Sequence, residues 1–188
     1  MTMRPRLQLC VALCWLTACA SAPKINYYTL DMEASGTVDP PVNLKVEQVR
    51  TTDALSRSQI MVQTSPTRIV YYATDQWVGG LDQLVREKLA VEFGEPVEGR
   101  RTLLVTVDVL ACEQVDVAGG AEARMRLSAT VRDPAQKLYR NALFEKTYEA
   151  TRPATQASAG AVVEALSLCA EQIAAEIAAD AGSVRAAD

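Results

Sequence analysis

Arg124-Met125-Arg126-Leu127-Ser128-Ala129-Thr130-Val131 alternates between polar and apolar side chains without a break. A strand turns successive side chains to opposite faces. Period two therefore puts Met125, Leu127, Ala129 and Val131 on a buried face, and Arg124, Arg126, Ser128 and Thr130 on a face that meets water or a partner. A sheet with one such polar face is antiparallel-rich and covered only on its other side. Upstream, Thr102 to Val115 reads as a long strand, and downstream Leu138 to Tyr148 reads as a third. Gly119-Gly120 and Asp133-Pro134 supply turns between them, which predicts a meander.

The cover for that sheet is legible on either side of the meander. From about Asp75 to Phe93 the spacing predicts a first helix, with Trp77 or Val78, then Leu81, Leu84, Val85 and Leu89 as its apolar stripe. Gly79 and Gly80 weaken its first turn, so either they serve close packing or the regular helix starts later. From about Ala157 to Ala179 a second helix carries Val162, Leu166, Cys169, Ile173 and Ile177 on one face. Nearer the N-terminus, Asn26 to Met32 and Val42 to Val49 read as strands flanking a Gly- and Pro-bearing loop, Glu33 to Pro41. Ile60 to Gln63 and Arg68 to Tyr72 read as a hairpin around Ser65-Pro66-Thr67. The expected fold is a two-layer α/β (α+β) protein, an antiparallel-rich sheet with two long helices packed on one face. One domain is expected over 26–182, with a frayed end at 183–188.

The N-terminus sets the compartment. Arg4 and Arg6 precede the apolar run Leu7 to Leu16, which suits a signal-peptide core but is too short to span a bilayer. Leu16-Thr17-Ala18-Cys19 comes next and resembles the bacterial lipobox. Residues 1–18 are then a cleaved signal peptide, Cys19 carries a covalent diacylglycerol and an N-acyl chain, and 19–25 form a lipidated tether. Each buried CH₂ adds about 0.8 kcal/mol, so several acyl chains on one residue hold firmly. Ala20, where Asp would favour inner-membrane retention, favours the outer membrane, facing the periplasm, by analogy.

Cleavage removes Arg4 and Arg6 and no acidic residue, so the 19 basic residues fall to 17 against 23 acidic ones, a net side-chain charge of −6. That argues against nucleic acid as a partner and against an electrostatic hold on anionic lipid. The lipid anchor makes the membrane a partner instead. Of five cysteines, Cys112 and Cys169 remain unassigned. An oxidising compartment permits a disulfide between them, and two buried thiols are the alternative.

Catalytic chemistry is thin. The chain contains no histidine, which removes the commonest general base, the commonest metal ligand and every Ser-His or Cys-His nucleophile. No P-loop occurs, and the two free cysteines lack the close spacing of a zinc site. A carboxylate pair for glycoside hydrolysis is not ruled out by sequence, since Asp and Glu are plentiful. No enzyme activity, metal or non-covalent cofactor is expected.

Several segments carry a resemblance. Tyr27-Tyr28-Thr29-Leu30 stands after the lipobox; then come Leu55-Ser56-Arg57-Ser58-Gln59-Ile60-Met61-Val62, the stretch Tyr71 to Trp77 (YYATDQW), and Ala159 to Leu166 (AGAVVEAL). In order and spacing they resemble the ABC-type transport auxiliary lipoprotein component family, with Ser56 and Ser58 where an Asp and a Pro are usual. The resemblance implies an accessory lipoprotein of a transporter with an inner-membrane permease, a cytoplasmic ATPase and an MCE-domain protein, moving phospholipids or other hydrophobic molecules between the two membranes. Within these segments Tyr27, Tyr28 and Trp77 are candidate contacts for partner or ligand, although each also fits a packing role. A homo-oligomer is left open. A periplasmic carrier with its own apolar cavity, and an envelope-assembly or structural lipoprotein, are the alternatives. A lipid-sized cavity favours the carrier, whereas a solid core with an exposed patch favours docking.

Overall fold

The computed structural model describes residues 22–136 and 142–184. The signal peptide, the lipobox and Cys19 lie outside the described residues, as do 137–141 and 185–188. Seven strands form one mixed sheet: β1 (Asn26–Tyr28), β2 (Asn43–Thr51), β3 (Gln59–Ser65), β4 (Arg68–Trp77), β5 (Thr102–Val117), β6 (Gly120–Arg132) and β7 (Phe144–Pro153). Two helices, α1 (Leu81–Phe93) and α2 (Ala159–Ser183), complete the fold.

The two longest ladders, β5–β6 and β6–β7, are antiparallel and make the expected meander. Along its other edge, β5 takes β2 in parallel over Thr102 to Val109 and β3 in parallel over Glu113 to Val115. Two successive strands therefore line one edge of a single long one. The antiparallel β3–β4 hairpin and the parallel β1–β4 pair finish the order β1-β4-β3-β5-β6-β7.

The strand that decided the reading is placed as its alternation requires. Met125, Leu127, Ala129 and Val131 are all fully buried, and Arg126 on the other face is exposed. The residues 105, 107 and 109 of β5 point the same way as that set and are equally buried. The register shifts between Val109 and Ala111, leaving Leu110 as a bulge on the outer side. A bulge inserts one residue and so switches the facing of the residues beyond it. Cys112 consequently lies opposite Met125 on the helix side, which simple parity from Leu110 and Asp108 could not decide.

Both helices cover the same face. α1 packs on β2, α2 packs on β6, β7 and β5, and the helices touch each other. The predicted stripe of α2, Val162, Leu166, Cys169, Ile173 and Ile177, is fully buried. Ser158 caps its N-terminus, its side chain accepting from the Ala161 N–H.

Several expected boundaries move, among them the end of α2, which runs to Ser183 rather than Ala179. The helix predicted from Asp75 starts at Leu81, because β4 continues to Trp77, pairing with β1 on one side and β3 on the other. Gly80 is the N-cap and makes no side-chain cap bond. The strand predicted over Leu138 to Tyr148 is instead Phe144–Pro153; it pairs with β6 from Val131 to Glu122, and part of the predicted range lies outside the described residues. Of Asn26 to Met32, only Asn26–Tyr28 is strand.

Candidate functional site

Three of the segments behind the family resemblance meet at one corner of the sheet, and the fourth reaches it from the helix layer. Tyr28 lies opposite Trp77 in the β1–β4 pair, and the Val78 N–H donates to the Tyr28 carbonyl at 2.8 Å. The Trp77 N–H donates to the Ser58 carbonyl at 2.7 Å, which ties the second segment to the third. Between them, the Arg57 guanidinium sits 4.8 Å from the centre of the Tyr71 ring, a cation–π contact. The fourth segment arrives through α2, where a methyl group added at Gly160 would stand 3.7 Å from the Tyr28 ring. Ser56 closes a short 3₁₀ turn over Asp53–Leu55 and donates its hydroxyl to the Asp53 carbonyl at 2.7 Å.

Asp75 is the polar centre of that corner. It accepts from Asn26 Nδ2 at 3.0 Å, the Tyr28 hydroxyl at 3.0 Å and the Thr74 hydroxyl at 3.1 Å. The Asn26 bond, aided by those from Tyr28 and Thr74, holds its carboxyl below the usual range against the opposing effect of burial. Of the three aromatics singled out, Tyr27 is 62% exposed and available to a partner, Tyr28 is half-buried, and Trp77 is a core side chain at 3%.

After β1 the chain becomes an arm that lies across the helix layer. Lys88 on α1 is fully buried and donates to the Glu33 carbonyl at 2.9 Å, to Glu171 of α2 at 3.1 Å and to Glu92 at 2.8 Å. Glu92, also buried, accepts from the Ser35 hydroxyl at 2.5 Å and the Ser35 N–H at 3.1 Å. Burial disfavours both charges, but for Lys88 the bonds to Glu92 and Glu171 outweigh it, and for Glu92 those from Lys88 and Ser35 do. Lys88 is held above its ordinary value and Glu92 below. Further along, the Asp31 N–H donates to Ser167 Oγ at 2.9 Å. The stretch that leads from the tether is thus fastened to both helices by part-buried polar bonds, which are strong when every partner is satisfied. Sequence reading passed over Lys88 and Glu92, yet they stand seven and eleven residues after Leu81, on the apolar stripe itself. A charge pair on such a stripe was the available signal.

Between arm and α2 runs a surface groove. One cleft of about 480 Å³ is bounded by Leu30, Asp31 and Met32 of the arm and by Val163, Glu164 and Leu168 of α2. A second, also about 480 Å³, shares Leu168 and Glu171 with it and extends to Thr37, Arg152 and Ala175. Leu168 is 51% exposed, a large apolar side chain on the outer side of a helix. By contrast, the space between helices and sheet is filled by side chains such as Val107, Leu127, Leu166 and Ile173, all fully buried.

Cys112 and Cys169 are both buried and unbonded. Cys169 Sγ lies 3.8 Å from the Ala123 carbonyl. Burial pushes both thiols up, Cys169 to about 11 and Cys112 further. On the opposite face, Arg124 pairs with Glu113 and donates to Gln63 Oε1 at 2.6 Å. These bonds tie β3, β5 and β6 together on that face, where Arg126 and Leu110 stay exposed.

Among the described residues, no helix is long and apolar enough to cross a membrane. The fold is shared with two solved structures. A Xanthomonas campestris protein of the DUF330 family is 16% identical, with a TM-score of 0.67 over 82% of this chain and 92% of that one. A second, described as an uncharacterized protein, is 20% identical, with a TM-score of 0.63 over 85% of this chain and 99% of that one. No curated protein matches by sequence. The family model for the ABC-type transport auxiliary lipoprotein component matches residues 28–178, from the second tyrosine of β1 to the last turns of α2, and the chain belongs to that family.

Proposed function

We propose that this chain is the membrane-tethered, non-catalytic docking subunit of an ABC/MCE-type system that moves phospholipids or other hydrophobic molecules between the inner and outer membranes. It is anchored through acyl chains on Cys19, at the outer membrane, and its partners are the MCE-domain protein and the permease of the same system. The observation that carries this reading is where the apolar space lies. The interior is packed with buried side chains, while an apolar cleft of about 480 Å³ opens at the surface beside the arm that leads from the tether. A carrier needs an enclosed cavity for its cargo; a docking subunit needs an exposed apolar surface. The family, an auxiliary component of ABC-type transport, supplies the system in which such docking takes place.

The test is purification of the full-length lipoprotein from membranes in mild detergent, then native mass spectrometry. The expected result is co-purification with the MCE-domain protein and no stoichiometric non-covalent lipid. A monomer carrying one tightly held phospholipid would overturn docking in favour of a carrier.

A further inference from the structure

We infer that the groove between the arm and α2 binds a basic amphipathic helix of a partner protein. Three features of the molecule support it, and the inference rests on the docking reading above. First, α2 has 25 residues, of which only Glu164, Glu171, Glu176 and Asp180 are charged. A helix this apolar around its circumference is normally covered on every side, yet Leu168 and Ala179 face solvent. Second, the clefts are continuous. The first two share Leu168 and Glu171, and a third of about 260 Å³ shares Thr37 and Ala175 with the second and reaches Gly182. From Val163 to Gly182 the groove runs along α2 for about 28 Å, which accommodates a helix of about five turns. The small side chains of Ala175 and Ala179 along its floor let a second helix approach closely.

Third, the charge is one-sided. α2 carries no basic residue, and Asp31, Glu164 and Glu171 stand around the first cleft. Lys88 answers Glu171 and Glu92 together, so that trio still sums to one negative charge, with Glu171 partly exposed at the groove. Arg152 is the single cation of the second cleft and keeps its charge while donating to the neutral Gln172 amide at 2.9 Å, so that with Asp31, Glu164 and the Lys88 trio the groove still sums to two negative charges. An anionic lipid headgroup and a second copy of the same acidic α2 would both be repelled. Lysines or arginines flanking an apolar helix face would be attracted, and they would set the direction in which the helix lies.

The test uses the mature protein and a fluorescein-labelled synthetic helix with leucines at i, i+3, i+4 and i+7 spacing and lysines along the flanks, read by fluorescence anisotropy. The same helix with glutamates for lysines is the charge control. The lysine helix is expected to bind and the glutamate helix to fail. Leu168→Asp, at a half-exposed position and with its fold checked by circular dichroism, is expected to weaken binding about thirtyfold or more. Glu164→Lys is expected to weaken it about tenfold and to flatten its salt dependence. Thr147→Ala, on β7 and away from α2, leaves it unchanged. Equal binding of both helices, or undiminished binding by Leu168→Asp, overturns the inference. So does a dimer that Leu168→Asp dissociates, or displacement of the helix by neutral phosphatidylcholine vesicles; these outcomes give the groove to a second copy or to lipid. Because the probe is synthetic, failure here leaves co-purification with the transport system standing.

Discussion

Lys88 and Glu92 sit one turn apart on α1, both side chains fully removed from solvent, with Nζ 2.8 Å from Oε1. Each neutralises a charge that burial would otherwise make very unfavourable. Removing one alone strands the other. Lys88→Met is expected to destabilise the domain by about 3–5 kcal/mol, whereas Lys88→Met with Glu92→Leu loses much less. Urea unfolding of the three proteins measures this. If the double variant is as unstable as the single, the pair contributes by hydrogen bonding the arm rather than by mutual charge compensation.

Acid sensitivity arises from the same kind of pairing elsewhere. Bonds from Lys146 at 2.7 Å and from the Tyr148 hydroxyl at 2.7 Å hold the Asp180 carboxyl below its ordinary value. Glu92 and Asp75 are lowered as well. A carboxyl with a depressed folded-state value gives its full stabilisation above its unfolded value, about 4, and loses it as pH falls through the folded one. Thermal stability is therefore expected to be flat near pH 6 and to fall steeply below about 4. Asp180→Asn removes part of that slope while leaving Lys146 free to reach water. A variant with an unchanged acid slope would show that Asp180 is not among the titrating groups.

Local pattern and long-range pairing divide what the sequence makes legible from what it does not. The period of β6 and the stripe of α2 are local, and each side chain there faces the way its spacing requires. The start of α1 is not local. Asp75 and Trp77 read as helix because Trp77 continues the stripe of Leu81 and Leu84, but their backbone is claimed on both edges, by Asn26–Tyr28 and by Gln59. For β7 the limits are set by how far β6 offers partners, so the strand runs to Pro153 although Arg152 and Pro153 carry no strand pattern of their own. The candidate site was legible only in part. Tyr27 and Tyr28 were singled out, but Leu168 stands one residue before Cys169 of the buried stripe, and nothing in its spacing shows that the arm runs beside it.

Two glycines of α2 predict opposite outcomes. At Gly160 an added methyl group meets only the Tyr28 ring at 3.7 Å, an ordinary contact. Gly160→Ala is expected to raise stability by about 0.4–1 kcal/mol, because alanine restricts the unfolded chain and suits a helix. At Gly182 the same methyl group would stand 2.8 Å from Cδ of Pro41, in a ring that cannot rotate away. Gly182→Ala is expected to lower stability despite the better helix former. Paired thermal melts decide, and equal shifts in the same direction would contradict both contacts.

The lipid anchor at Cys19 is testable in cells. With a clickable fatty acid in the medium, the wild-type chain is expected to be labelled and to sediment with membranes. Cys19→Ala is expected to be unlabelled, and among the described residues no helix is long and apolar enough to hold it in the membrane instead. Separation of the two membranes on a sucrose gradient then places the labelled chain. Labelling that survives Cys19→Ala would put the acyl group elsewhere.

Cys112 and Cys169 supply the last prediction. Cys112 lies beside Met125 on the helix-facing side of β5, and Cys169 reaches toward Ala123 on the next strand from α2. The two thiols are neighbours across the interface of sheet and helix, and both are buried and unbonded. A thiol reacts through its thiolate, and burial suppresses that form, pushing Cys169 to about 11 and Cys112 beyond. In the folded protein at pH 8, iodoacetamide is therefore expected to modify neither. After unfolding in urea without reductant, intact-mass analysis is expected to show both alkylated. Two sites that stay unmodified after unfolding, and react only once reductant is added, would show that the chain is oxidised in its compartment. In that case the bridge would stabilise the fold by closing the long loop between β5 and α2, by about 3–4 kcal/mol.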